Sequence, residues 1–270
     1  MTSMVLLMPS TTLVFRVGSA NIRLIGSHTG NPPEYNRQGS KHLLMVIEDP
    51  TLRLAYADHP KMLHRLAEFV DRYLLEDKPA LVIQATPTNE DFEADVLLPS
   101  SVASLQGVGS DQNSWWNCFR TNYQPRPTFR GVAAFDERDA ANWAYEFHRD
   151  GHLIAGIWRF PSMHKVNAEV VCLPDFYAEI FEDFANKALR LAAPEGNGFP
   201  ARLTATLLNA PDLHFAKKAD FGNMHVVVPP SRTRHLCWRV RQVGDVASWQ
   251  LAAERMGAEL LGIGGVKPGV

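Results

Sequence analysis

The chain has 270 residues, 46% hydrophobic and 21% charged, with a formal net charge of −2. That size allows one large domain or two modest ones with a substantial core, and the near-neutral charge excludes attraction of the whole molecule to phosphate, so any nucleic-acid contact needs a local basic patch. The three cysteines, Cys118, Cys172 and Cys237, are far apart with no CxxC spacing, which excludes a disulfide framework and suits a reducing compartment.

In chain order, Met1–Pro9 is apolar but has no basic residue before Arg16, unlike a signal peptide. No run approaches the roughly 18 apolar residues of a membrane span, so a cytoplasmic protein is expected. Thr11–Val17 and Asn21–Ile25 flank Gly18-Ser19 and predict a short β-pair; Gly26–Ser40 reads as a loop. His42–Glu48, with Leu-Leu-Met-Val-Ile inside it, predicts a buried strand. Asp58-His59-Pro60 predicts a cap and an early helical proline. Met62, Leu63, Leu66, Phe69, Val70, Tyr73 and Leu74 then follow at helical spacing as far as Lys78-Pro79. Ala80–Ala85 predicts a strand.

Thr86–Thr128 is irregular, too long for an ordinary connection in a compact domain. It carries Trp115-Trp116, which either tuck back into the core, the favoured reading, or form a contact surface. Gly131–Phe135 is a strand. Trp143–His148 and Leu153–Phe160 form a hairpin around Arg149-Asp150-Gly151-His152, whose Asp-Gly pair tolerates positive φ. Val166–Leu173 is the next strand. A helix over Asp175–Ala192 has Phe176, Tyr177, Ile180, Phe181 and Phe184 on one broad face, for which the three preceding strands are the natural cover. Arg202–Leu208, Met224–Val228 and Leu236–Val240 read as strands, and Asp245 caps a last helix through Leu261. The whole predicts an α+β fold, with mixed or antiparallel sheets and about three helices packed against them. It divides into residues 1–128, an N-terminal α/β half with the long irregular loop, and 129–270, a C-terminal α+β half. The two halves are free to share one core.

Few motifs carry chemistry. The glycine-rich tail from Gly262 lacks the Lys-Ser/Thr of a phosphate loop, and Gly107-Val-Gly109 lacks the third glycine and a helix after it. No Gly-x-Ser-x-Gly elbow exists, and Cys172 reads as core. His148 and His152 stand side by side across the hairpin turn, yet a metal site needs three or four ligands and no spacing fixes a third. His59 and His64 are five apart, not the i,i+4 of a zincin. Glu90, Asp91, Glu93 and Asp95 read as a solvated acidic loop. Glu76-Asp77-Lys78 has the Glu-x-Lys form of a nuclease core but sits at a helix end. No metal or cofactor site is predicted. Between residues 200 and 241, seven basic side chains face two acidic ones, a net +5 interleaved with Phe215, Phe221 and Trp238. That mix suits phosphate backbones and stacking, although alternating exposed arginines balanced by acids elsewhere would give the same pattern.

Three stretches carry a family resemblance. Phe15-Arg-Val-Gly-Ser-Ala-Asn-Ile22, Ala80-Leu-Val-Ile-Gln-Ala-Thr-Pro87 and Tyr145–Ala155, the last with the helix after it and Phe199–Leu208, occur in an order that resembles the region following the AlbA-type domain in bacterial Schlafen-like DNA-binding proteins. The resemblance implies the accessory part of such a protein without its DNA-binding or nuclease head, because Arg-Val-Gly-Ser begins at Arg16; no functional residue of the family carries over. The expectation is a non-enzymatic binding, sensing or regulatory module with a protein or nucleic-acid partner and no membrane contact. Contact would run through Trp115, Trp116, Arg232, Arg234, Arg239 and Arg241. The alternative is a hydrolase or nuclease built on the acidic loop or on His148 and His152.

Overall fold

The computed structural model describes residues 14–17, 20–23, 45–94, 126–135, 143–158, 164–166, 169–172, 200–210, 214–218, 224–227 and 234–263. Chain contacts divide it into two units, Met1–Lys41 and His42–Val270. In the first, β1 (Val14–Val17) and β2 (Ala20–Arg23) pair antiparallel with Phe15 opposite Ile22, so the stretch Phe15–Ile22 belongs to a hairpin.

The second unit opens with a correction. Residues 45–48 are helical, not a strand, and α1 (Pro50–Ala55) follows. A short apolar run carries no period that separates strand from helix. Asp49 starts α1: its carboxylate accepts from the N–H groups of Thr51 (2.9 Å) and Leu52 (3.0 Å), and Pro50 needs no donor at the first helical position. In α2 (Pro60–Tyr73) the N-cap is His59, without a side-chain bond, and Pro60 opens the helix. The helix also stops short of Lys78-Pro79. Leu74 takes a left-handed φ of 54°, and the N–H groups of Leu74 and Leu75 close back onto Asp71 and Val70.

Eight strands form the main sheet. β3 (Ala80–Pro87), β4 (Arg126–Pro127), β5 (Gly131–Phe135), β6 (Trp143–His148), β7 (Leu153–Ile157), β10 (Ala201–Leu208) and β13 (Leu236–Cys237) lie in the order β13-β10-β3-β7-β6-β5-β4, with β14 (Arg241–Val243) also on β10. Every pairing in it is antiparallel. Strands from both sides of Thr128 therefore share this sheet. A smaller sheet, β12-β11-β9-β8, is built from β8 (His164–Val166), β9 (Glu169–Cys172), β11 (His214–Lys218) and β12 (Met224–Val227), and is mixed because β9 and β11 run parallel. The expected strand Val166–Leu173 thus falls on two strands of this second sheet. The helix expected over Asp175–Ala192 lies outside the described residues. α3 (Val246–Ile263) starts where Asp245 and Ser248 cap each other: Ser248 N–H donates to Asp245 Oδ1 at 2.8 Å, and Asp245 N–H to Ser248 Oγ at 3.0 Å.

Alternation gives the main sheet two unlike faces. Leu81, Ile83, Tyr145, Phe147, Leu153, Ile157, Leu203 and Leu207 point one way into a hydrophobic cluster, completed by Trp249, Met256 and Leu260 of α3. The opposite face carries Val82, Ala144, Ile154 and Leu208 under α1 and α2, but also buried Gln84, Thr86, Glu146, His148, Thr204 and Thr206. α2 seats closely here because β7 has Gly156 beneath it: a Cβ at that position would stand 2.7 Å from the Phe69 ring.

Candidate functional site

The polar side chains of that second face converge between α2 and the β6–β7 turn. Period two places Glu146 and His148 on the same side of β6, and α2 meets them with Lys61, Arg65, Glu68 and Arg72, spaced so that they form one helical stripe. Glu146 is 3% exposed. It accepts hydrogen bonds from the Arg72 guanidinium and from His148 Nε2, the latter at 2.9 Å. Burial alone would push its carboxyl up; the His148 hydrogen bond and the Arg72 charge outweigh this and hold it below the usual range, so it is ionised. A charged carboxylate only accepts, so His148 Nε2 is the donor of this hydrogen bond. The Tyr73 hydroxyl is pushed up by burial and by the nearby Glu146 charge.

One turn away, Asp150 accepts from Lys61 (3.0 Å) and Arg65 (3.1 Å), and its other oxygen accepts the His152 N–H at 3.2 Å. Burial raises its carboxyl, but these partners take it well below the ordinary value. Glu68 gathers Arg130, His64 and Arg65 in the same way. Gly151, at φ 72°, makes the turn possible, and Phe92 and Pro87 lie where a Cβ would go. Beneath it the rings of His148 and His152 are 5.8 Å apart between centroids, side by side as the hairpin spacing predicts. His152 is fully buried and held neutral: desolvation, with His148 and the cations Arg65 and Lys61 nearby, lowers it to about 3.

A second polar group lies under α1. The Tyr56 hydroxyl pairs with Thr206 Oγ1 (2.7 Å) and accepts from Gln84 Nε2 (3.1 Å). His235 Nδ1 accepts the Asn209 N–H at 3.2 Å, which turns Nε2 toward Asp49 at 3.7 Å. Burial pushes the Cys237 thiol up to about 12, so it is no nucleophile at neutral pH.

The residues expected to make contacts do not share one environment. Trp115, Trp116 and Arg232 lie outside the described residues. Arg234 clamps the turn after α2, donating from Nε to Asn209 Oδ1 (3.0 Å) and from Nη2 to the Glu76 carbonyl (2.8 Å), while Arg241 pairs with Glu259. Arg239 is exposed. Glu90, Asp91 and Glu93 are solvated, and Glu76-Asp77-Lys78 forms a turn whose Glu76 and Lys78 carbonyls bond Asn209. Among the described residues no three His, Cys, Asp or Glu are placed to hold a metal ion, and no helix is long and apolar enough to cross a membrane.

The Glu146–His148 pair and its cationic cover went unnoticed in the sequence. The signal was there: two ionisable residues at i,i+2 on an apolar strand, and a charged stripe beside the apolar one on α2. In hydrogen-bond order the pair resembles a carboxylate orienting a general base. Both side chains, however, are buried, at 3% exposure each. Comparison with protein-family models, curated proteins and solved structures finds no match for the chain.

Proposed function

We propose that the chain is a cytoplasmic, non-enzymatic binding, sensing or regulatory module, the accessory part of a Schlafen-like DNA-binding or defence system. One observation carries the non-enzymatic reading: the carboxylates gathered between α2 and the hairpin are each closed onto a cation from another element. Glu146 binds Arg72, Asp150 binds Lys61 and Arg65, and Glu68 binds Arg130. Groups balanced this way set the seating of α2 on the sheet rather than waiting for a reactant. The accessory-part reading is supported by the segments that carry the resemblance, since Ala80–Pro87, the Tyr145–Ala155 hairpin and the strand ending at Leu208 are the adjacent strands β3, β6–β7 and β10.

The partner is nucleic acid, met by the basic C-terminal third together with Trp115 and Trp116. Arg239 is the variant of choice, because Arg234 and Arg241 also hold the fold. A labelled oligonucleotide, titrated with chelator present across a salt series, should bind at low salt and weaken as salt rises; Arg239→Ala should reduce the slope by about one ion. Binding that ignores salt, or no binding at low salt, rejects the nucleic-acid reading.

A further inference from the structure

Phe129 stands at the turn between β4 and β5 with 98% of its surface exposed, more than any other large apolar side chain among the described residues. The turn around it is closed. Thr128 N–H donates to the Gly131 carbonyl at 2.7 Å, and Gly131 N–H donates to Thr128 Oγ1 at 3.0 Å. Gly131 itself is pressed against β6, where a Cβ would stand 2.0 Å from the Phe147 carbonyl oxygen. The backbone therefore holds the ring outward.

The neighbours of the ring are cationic. Arg126 and Arg149 are exposed on either side of it. The Arg126 guanidinium lies over the Phe135 ring, 5.8 Å from its centroid, and Arg149 N–H donates to the Arg130 carbonyl, which sets the β6–β7 turn beside this one. The other exposed large apolar side chains belong to residues 45–74 and to α3, so Phe129 is not part of an apolar patch of the size a protein interface needs. Nor does β4 suit an added strand, since Pro127 has no N–H to offer at that edge. The sequence around the turn points the same way. Residues 112–135 contain three arginines and no acid, and a quarter of them are aromatic, against 10% of the whole chain. The exposed acids Glu90, Asp91 and Glu93 border Arg149, whose carbonyl accepts the Ala94 N–H, and keep the basic surface narrow.

We infer that the β4–β5 turn binds a single strand of nucleic acid, with one base stacked on the Phe129 ring and the adjoining phosphates drawn to Arg126 and Arg149. A ring flanked by guanidinium groups accepts any base, because every base has a π-face; a duplex keeps those faces covered. A surface this narrow also follows one backbone better than two. Resting on the nucleic-acid reading, this adds the strandedness of the partner and a contact outside the C-terminal third.

The test uses the full chain, with chelator present, titrated into a labelled oligothymidylate and separately into a duplex of equal length. Anisotropy should show the single strand bound at least about tenfold more tightly. Phe129→Ala, at a position exposed enough to leave Tm unchanged, should weaken single-strand binding by about 5–150-fold, the worth of one base–aromatic stack, without altering the salt slope. Phe129→Trp should restore it, and Arg126→Ala should reduce the slope by about one ion. Equal affinity in Phe129→Ala, or a duplex bound as tightly as the single strand, overturns the inference and leaves the nucleic-acid reading to the Arg239→Ala slope. No binding of either oligonucleotide at low salt overturns both, in favour of a protein partner.

Discussion

The two faces of the main sheet are held by different physics. On the α3 side, Leu81, Ile83, Tyr145, Leu203 and their neighbours meet Trp249, Met256 and Leu260 in a hydrophobic cluster that buries no charged side chain. On the α2 side the same strands bury Glu146, His148, Gln84, Thr204 and Thr206 among Val82, Ile154 and Phe69. Burial of hydrocarbon is non-directional and tolerates swaps of similar volume. Buried charge is directional, and loss of one partner strands the other. The first face therefore supplies stability, while the second fixes how α2 sits.

The largest expected effect lies on the apolar face. Trp249→Ala removes a side chain 2% exposed and should cost about 3–5 kcal/mol in urea unfolding; a loss under 1 kcal/mol would mean that α3 does not anchor this core. On the polar face, Glu146→Ala leaves Arg72 and His148 facing each other and should cost about 3 kcal/mol, the low end for a broken buried pair because Arg72 reaches solvent. A double-mutant cycle with Arg72→Ala should show coupling between the two positions. Additive losses would place Glu146 outside any network.

Acidity should separate the faces more cleanly. His152 is held at about 3 when folded, against 6.5 ordinarily. Below pH 6.5 the unfolded chain takes up a proton that the folded chain refuses, so this stabilising term is fully present above 6.5 and is lost as pH falls toward 3. His235, lowered to about 4 by burial, acts in the same direction. Each contributes a slope of at most about 1.4 kcal/mol per pH unit. Urea midpoints between pH 7 and 4 should therefore flatten in His152→Leu; an unchanged slope would show that His152 does not titrate on unfolding. The smallest effect belongs to the cap of α3. Asp245→Ala should cost about 1 kcal/mol, and a Tm equal to that of the unaltered chain would show that Ser248 suffices alone.

Much of the fold was legible locally. Trp143–His148 and Leu153–Ile157 alternate around an Asp-Gly turn, and both strands and the positive φ at Gly151 stand where that pattern puts them. The reciprocal cap at Asp245 was equally visible. His42–Glu48 misled because so short an apolar run has no period, and its described part, Met45–Glu48, is helical. β11 and β14 passed unread because they are short and partly charged. The candidate site was half legible: the hairpin spacing placed His148 beside His152, but nothing local said that Arg72 would reach Glu146 or that Lys61 and Arg65 would share Asp150.

By itself the sequence determined several elements, among them α2, β6, β7 and the start of α3, because a period of two or 3.6, a proline or a capping carboxylate acts within a few residues. It also determined that β3, β6 and β10 each keep one purely apolar side. Only the tertiary structure decided that β3 lies between β10 and β7, and that the polar side of this sheet is the one covered by α1 and α2. Such pairings join segments distant along the chain, and their selection depends on how side chains from several elements fill one interior together, which no single stretch encodes.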